Sequence, residues 1–453
     1  MKTICAISTA YGSGGIAVIR VSGENAIPIV DTLFVGRHKL SEAKGGTVHF
    51  GRIQQSIIEN RESKIETLDE VMCSVFRAPH SFTGEDTVEI ACHGSLFIQQ
   101  ELLRWLIDAG CKAAEPGEFT RRAFLNGKMD LTQAEAVADL IAAQSRAEKD
   151  LALSQLRGSV SNELNILRER LLHFTSLIEL ELDFADHEEL EFADRSELTS
   201  LAVEIETHLA ALLNSFRTGN AIRNGIPVAI IGAPNVGKST LLNALLGEQR
   251  AIVSDIQGTT RDTIEDTLII DGILFRLIDT AGLRTTDDTI ENLGIERSRQ
   301  AAQKAQIVIH MRDNDELSEA SLLNDEMVKG TIIRVWNKAD LIDSSFHHSI
   351  NPSIILISAK NGDIEPLKQE LVRIAKQSMQ TSAVMLSNAR HYEAISRAHE
   401  AIIRVQQGLT SGLSGELLSM DLQDCLSALG EVTGQITNQE VLSNIFSKFC
   451  IGK

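Results

Sequence analysis

Residues 226–246 read Ile226-Pro227-Val228-Ala229-Ile230-Ile231-Gly232-Ala233-Pro234-Asn235-Val236-Gly237-Lys238-Ser239-Thr240-Leu241-Leu242-Asn243-Ala244-Leu245-Leu246. A strand-like apolar run leads into G-x-x-x-x-G-K-S and then into helix-forming sequence. In that strand–loop–helix context the loop N–H groups cradle phosphates, Lys238 reaches the β and γ phosphates, and Ser239 ligates Mg²⁺. The context tells against the plainer reading, a glycine-containing turn before a helix.

Three further elements follow in the order a GTPase requires. Leu277-Ile278-Asp279-Thr280-Ala281-Gly282 ends a strand with a carboxylate placed for the metal shell and a glycine whose N–H senses the γ phosphate. Ile332-Ile333-Arg334-Val335-Trp336 delivers Asn337-Lys338-Ala339-Asp340, in which Asp340 accepts from guanine N1–H and the exocyclic amine, a donor pair adenine lacks. Ile354-Ile355-Leu356-Ile357 delivers Ser358-Ala359-Lys360, whose backbone N–H bonds the guanine oxygen. Any one of these is weak alone. Four in order, each at a strand's C-terminal end, match the ligand-binding edge of an open sheet.

Between the first two motifs, Ser254-Asp255-Ile256-Gln257-Gly258-Thr259-Thr260-Arg261-Asp262 is a polar loop of the kind that orders around Mg²⁺ and the γ phosphate, with Thr260 as second metal hydroxyl. The residue after Gly282 is Leu283, where many small GTPases carry a water-orienting glutamine. An apolar side chain cannot do that work. The acidic stretch Asp287-Asp288-Thr289-Ile290-Glu291 follows, and by composition alone reads as a solvated loop of carboxylates.

The 453 residues exceed what one core supports, so several domains are expected. Apolar residues at 43% and charged residues at 23% suit a globular chain. A net charge of −19 argues against holding nucleic acid on a basic surface, so any such role borrows a partner's positive charge. Cys5, Cys73, Cys92, Cys111, Cys425 and Cys450 form no C-x-x-C pair, suggesting neither a zinc site nor a disulfide framework. The N-terminus lacks a signal-peptide pattern and no stretch approaches the roughly 20 apolar residues of a membrane span, so a cytoplasmic, non-membrane protein is expected.

Residues 1–118 are β-rich, with one helix near Leu96 to Ala109. Helical periodicity starts after Asp130, where Asp130 and Gln133 form a capping box, and two further helices are expected at 161–182 and 196–216. Arg217-Thr218-Gly219-Asn220 reads as the stop of that run. Residues 226–377 alternate strands and helices, the signature of a parallel α/β sheet, and helices return at 389–408, 414–429 and 437–449. The expected architecture is multidomain, α+β and α/β: a β-rich part at 1–118, a helical part at 119–218 completed by 379–453, and an inserted P-loop domain at 219–378.

Gly-Ile-Ala-Val-Ile-Arg-Val-Ser-Gly at 15–23, Ser-Phe-Thr-Gly-Glu-Asp at 81–86, Pro-Gly-Glu-Phe-Thr-Arg-Arg-Ala-Phe-Leu-Asn-Gly-Lys at 116–128 and the terminal Phe-Cys-Ile-Gly-Lys, together with the four motifs, resemble the MnmE (TrmE) family of tRNA uridine-modification GTPases from the first strand to the last residue. The resemblance implies a homodimer of three-domain chains whose N-terminal domain binds a formyl- or methylene-tetrahydrofolate. It implies an FAD-dependent partner, MnmG or GidA, that holds most of the tRNA while an aminomethyl-type group (carboxymethylaminomethyl) is placed on C5 of the wobble uridine. The acidic charge suits that division.

By the same resemblance, folate contacts fall on Arg20, Glu89, Lys128 and Lys453, where a carboxylate pairs with a pterin's amino edge and cations suit folate carboxylates. G domains of the family pair head to head across K⁺; Asn235, Ser254, Ile256 and Thr259 match the cation positions, and Glu291 matches the residue implicated in placing water. K⁺ near the phosphates stabilises transition-state charge as an arginine would. Cys450 is placed by the resemblance near the folate and uridine chemistry, with a buried structural thiol as the alternative; Gly452 and Lys453 exclude a prenylation box. The rival class, a ribosome-assembly or regulatory GTPase, shares the G-domain motifs but not those of 1–128 and the tail.

Overall fold

The computed structural model of the chain describes residues 2–59, 62–183, 194–248, 266–278, 299–313, 330–341, 353–379, 384–447 and 449–452. The chain forms two compact units, Met1–Ala138 with Thr433–Lys453, and Asp139–Val432.

In the first unit, β1 (Ile4–Ile7), β2 (Ile16–Ser22), β3 (Phe34–Gly36), β4 (Thr47–Glu59), β5 (Glu62–Phe76), β6 (Thr87–His93) and β7 (Lys112–Ala113) form a seven-stranded sheet in the order β3-β4-β5-β6-β2-β1-β7. Its pairings are antiparallel except β1 with β7. Alternate residues Ile19, Val21, Cys73, Val75, Val88 and Ile90 share a core with α1 (Ala26–Leu33) and α2 (Leu96–Asp108), which puts the intervening Arg20 and Glu89 on the opposite face. There Phe119 of α3 (Glu118–Leu125) packs with Ile4, Ala6 and Ala114. The sequence reading found only α2 among residues 1–118. It missed α1, whose Pro28 sits in the first turn, where a missing N–H costs nothing because that donor has no intrahelical acceptor.

α4 (Leu131–Ala142) opens with the expected capping box: Gln133 N–H donates to Asp130 Oδ1 at 2.9 Å and Asp130 N–H to Gln133 Oε1 at 3.0 Å. Leu131 and Ala134 pack with Leu442, Phe446 and Phe449. That cluster draws Thr433–Lys453 into the first unit.

In the second unit α6 (Ser159–Asp183), α7 (Arg195–Asn224), α10 (Ala389–Ser411) and α11 (Gly415–Thr433) surround one core, including Leu164, Leu171, Leu209, Ile395, Ile402, Leu422 and Leu429. α5 (Arg146–Leu156) precedes them. It was not legible, because its buried residues are Glu148, Ala152 and Gln155 and leave no apolar period. The expected stop at 217–220 is corrected: α7 runs on to Asn224 and ends at Gly225. Gly219 is a packing glycine, since a Cβ there would stand 2.1 Å from the Leu386 carbonyl oxygen.

The same unit carries β8 (Ile226–Gly232), β9 (Asp266–Ile270), β10 (Ile273–Leu277), β11 (Ile307–Arg312), β12 (Thr331–Trp336) and β13 (Ile354–Leu356) in the order β13-β12-β11-β8-β10-β9. Only β9 runs antiparallel to its neighbour. Val228 and Ile230 pack with α8 (Lys238–Glu248) and α9 (Glu365–Met379) on one face, and Ala229 and Ile231 pack with Ala301, Ala302 and Ala305 on the other. Burial on both faces explains the unbroken apolar runs that marked these strands. α12 (Gln439–Phe446) completes the described helices of the first unit, and no helix among the described residues is long and apolar enough to cross a membrane.

Candidate functional site

The parallel strands β8, β11, β12 and β13 all end at one edge of the six-stranded sheet, and each releases a loop there. β8 gives way to Ala233–Gly237 and the first turn of α8. Gly237 adopts φ +97°, and a Cβ on it would stand 2.3 Å from Asn337 Nδ2, so only glycine fits. Asn235 takes the left-handed φ of 62° and is exposed; Ser239 and Thr240 are exposed on the first turn of α8. Lys238 folds back on the loop, its Nζ donating to Gly232 O at 2.9 Å and Ala233 O at 2.8 Å. Burial presses its pKa below the ordinary lysine value, a shift that phosphate oxygens beside the ammonium would oppose.

Asn337 ties three of these loops together. It is buried at the end of β12, its Nδ2 donates to Val236 O at 2.8 Å, and its Oδ1 accepts from Ala359 N at 3.0 Å. The buried Ser358 hydroxyl donates to Asp340 Oδ1 at 2.6 Å, holding an exposed carboxylate at the rim. Ala339 N–H donates to Ile357 O at 3.0 Å. Asn235 through Thr240, Asn337 through Asp340, and Ser358 through the exposed Lys360 therefore line one edge. Sequence reasoning missed Asp313, which follows β11 and pairs with Lys338 Nζ. Its signal was a lone carboxylate just past a strand's C-terminal end.

Ser254, Asp255, Ile256, Gln257, Gly258, Thr259, Thr260, Asp279, Thr280, Ala281, Gly282 and Glu291 lie outside the described residues. β9 begins at Asp266 and β10 ends at Leu277, so the hairpin these strands form stands in sequence between the two segments that hold those residues.

The first unit carries a second cluster. Arg20 and Glu89 are direct cross-strand partners, with Arg20 Nε donating to Glu89 Oε1 at 2.9 Å. The guanidinium carbon lies 5.4 Å from the Phe82 ring centroid and 5.5 Å from that of Phe119, two aromatic neighbours the sequence reading did not connect with it. Lys128 Nζ donates to Pro79 O at 2.9 Å, and Asn126 Nδ2 to Thr83 O at 2.7 Å, so the 79–86 loop is held from α3's C-terminal side. The chain's end also arrives here. Gly117 N–H donates to Cys450 O at 3.4 Å and Ser8 Oγ to Gly452 O at 3.1 Å, beside β1, where Ala6 pairs with Arg20. Cys450 is exposed, which removes the buried-thiol alternative. Lys453 lies outside the described residues.

Comparison with known proteins matches residues 131–450 to the family model of the MnmE helical domain and residues 3–128 to that of the GTP-binding protein TrmE N-terminus. A protein of Parabacteroides distasonis named tRNA modification GTPase MnmE is 55% identical over 468 residues, covering 100% of both chains. Proteins of the same name from Bacteroides fragilis and Porphyromonas gingivalis are 54% and 50% identical, each covering 100% of this chain and 99% and 98% of their own.

Proposed function

The chain belongs to the MnmE family, and from that premise we propose that it hydrolyses GTP in the service of tRNA modification, working with an FAD-dependent partner of the MnmG (GidA) kind to place a carboxymethylaminomethyl group on C5 of the wobble uridine. The observation that carries this reading is Asn337, which binds the phosphate loop at Val236 and the Ser358–Lys360 loop at Ala359 and so assembles one guanine-nucleotide edge from three distant segments. The match of residues 3–128 to the TrmE N-terminus disfavours the ribosome-assembly alternative.

The loop amides and Lys238 hold the phosphates, and Asp340 accepts from the guanine edge. Ser239, with Thr260, would hold Mg²⁺, which supplies charge neutralisation at the β and γ oxygens when bound. Ser239 fits the role as an exposed hydroxyl on the first turn of α8 beside the loop. Asn235, Ser254, Ile256 and Thr259 would hold K⁺. Of these, Asn235 is exposed on the loop with its backbone already in the turn conformation. Glu291 positions the attacking water, a task Leu283 cannot perform. Two such domains, brought together in a homodimer, would hold the 254–260 loop closed around the cation.

The Arg20–Glu89 pair supports the folate reading, since a carboxylate matches the amino edge of a pterin and the flanking Phe82 ring offers a flat surface. Lys128 and Lys453 would supply cations for the folate carboxylates, and Cys450 would serve the folate and uridine chemistry beside which the family resemblance places it. The test is steady-state GTP hydrolysis in K⁺ against Na⁺ at equal ionic strength, with Asn235→Ala alongside. Turnover should rise in K⁺ for the parent, and Asn235→Ala should lose most of that rise while still binding nucleotide. Equal rates for the parent in both salts would remove the cation mechanism.

A further inference from the structure

α5 has a polar inner face and unusual neighbours at both ends. A helix leaves its first N–H groups without intrahelical acceptors, and they must be met from elsewhere. In α5 the Ser145 hydroxyl accepts from Glu148 N–H at 3.2 Å, and the Glu148 carboxylate returns to Gln144 N–H at 2.7 Å. Ala147 N–H is met from another element altogether: it donates to the Gly272 carbonyl at 3.1 Å.

Asp271 and Gly272 are the two-residue turn of the β9–β10 hairpin, with φ of 50° and 74° as a type I′ turn requires. A Cβ on Gly272 would stand 3.1 Å from Arg146 Cβ, so the turn rests against the helix start. Asp271 is anchored on its other side by Lys376 of α9, whose hydrogen bond, aided by the Arg146 charge, holds the Asp271 carboxyl below its ordinary pKa. A carboxylate at this place also complements the positive end of α5.

At the far end the buried Gln155 donates through Nε2 to Met385 O at 3.2 Å and to Ser387 Oγ at 2.9 Å. Between those two residues, Leu386 is fully buried in the helical core, and its N–H donates to Ser215 Oγ of α7 at 3.1 Å. A continuous line of contacts thus runs from the hairpin through α5 to the core of the helical part. Hydrogen bonds to other elements fix both ends of α5. Beside it is a half-open pocket of about 340 Å³ whose lining includes Glu148, Leu151, Ala152, Gln155, Arg223 and Ser387.

We propose that α5 is a strut that carries the nucleotide state from the β9–β10 turn into the helical core by gaining and losing the Gly272 carbonyl on its first turn. The inference rests on the guanine-nucleotide reading above, because the hairpin is flanked in sequence by the two segments expected to respond to the γ phosphate. Tension or release on either side of a two-strand hairpin moves its turn, and the turn here is a helix cap.

The test is hydrogen–deuterium exchange of the full chain with Mg²⁺ and K⁺, saturated with GDP or with guanosine 5′-(β,γ-imido)triphosphate. Saturation is checked by titration with a fluorescent guanine nucleotide. Peptides covering 146–156 and 384–392 should exchange at rates that differ several-fold between the two nucleotides. In Gln155→Leu the 146–156 difference should persist and the 384–392 difference should vanish; Ser387→Ala should weaken it. Identical exchange of 146–156 in both bound states of the parent overturns the proposal. So does an undiminished 384–392 response in Gln155→Leu. Failure of either nucleotide to bind overturns the guanine-nucleotide reading, and the proposal with it.

Discussion

Replacing Asn337 by alanine tests how the nucleotide edge is held together. The side chain is 3% exposed and makes one hydrogen bond to the carbonyl of Val236, itself 3% exposed, and one from the N–H of Ala359, 4% exposed. Truncation leaves a buried acceptor and a buried donor unmet, at roughly 1–3 kcal/mol each. Water entering the vacated volume recovers part of that, so a loss of about 2–4 kcal/mol is expected, a large share of the ~5–15 kcal/mol that holds a domain folded. At roughly 2–4 °C per kcal/mol for a domain of this size, the melting temperature falls by about 4–16 °C. Guanine-nucleotide affinity should fall as well, because the phosphate loop and the Ser358–Lys360 loop are no longer fixed to each other. Thermal unfolding without ligand and titration with a fluorescent GDP analogue read the two effects separately. A variant that melts within a degree or two of the parent and binds GDP equally well would refute the role given to Asn337.

Asp340→Asn should weaken GTP binding by about 1.5–3 kcal/mol for each of two charge-assisted hydrogen bonds and should favour xanthine nucleotides instead; equal GTP affinity in parent and variant would remove Asp340 from the base site. Deleting Lys453 should lower the affinity for a formyl-tetrahydrofolate without changing GTP affinity, and calorimetry showing unchanged folate binding would separate the tail from that site. Phe82→Ala removes one of two rings beside the Arg20 guanidinium, so folate affinity should fall roughly 2- to 10-fold if that cation–π contact is worth ~0.5–1.4 kcal/mol, with Phe119 still in place.

The P-loop sheet and its edge were legible because each loop needs unusual residues at a strand's C-terminal end: Gly237 where a Cβ would strike Asn337, Asn337 where two loops must be bridged, Asp340 where the Ser358 hydroxyl holds a carboxylate at the rim. Elements whose logic is long-range were not legible. Gly219 reads locally as a helix stop, and only the approach of Leu386, distant in sequence, shows that it lets another backbone pass. α5 buries Glu148, Ala152 and Gln155, a face that apolar periodicity cannot find because hydrogen bonds hold it. Arg20 and Glu89 were assigned from a resemblance; their direct pairing and the rings around them required the fold.

The central claim is that guanine-nucleotide turnover by this chain serves tRNA modification, and nucleoside mass spectrometry of wobble uridines tests it most directly. Cells lacking the protein should lose the carboxymethylaminomethyl group at C5 of the wobble uridine. The parent gene should restore it, and Lys238→Ala, which removes the cation closing the phosphate loop, should not. Wobble uridines unchanged by loss of the protein would contradict the account.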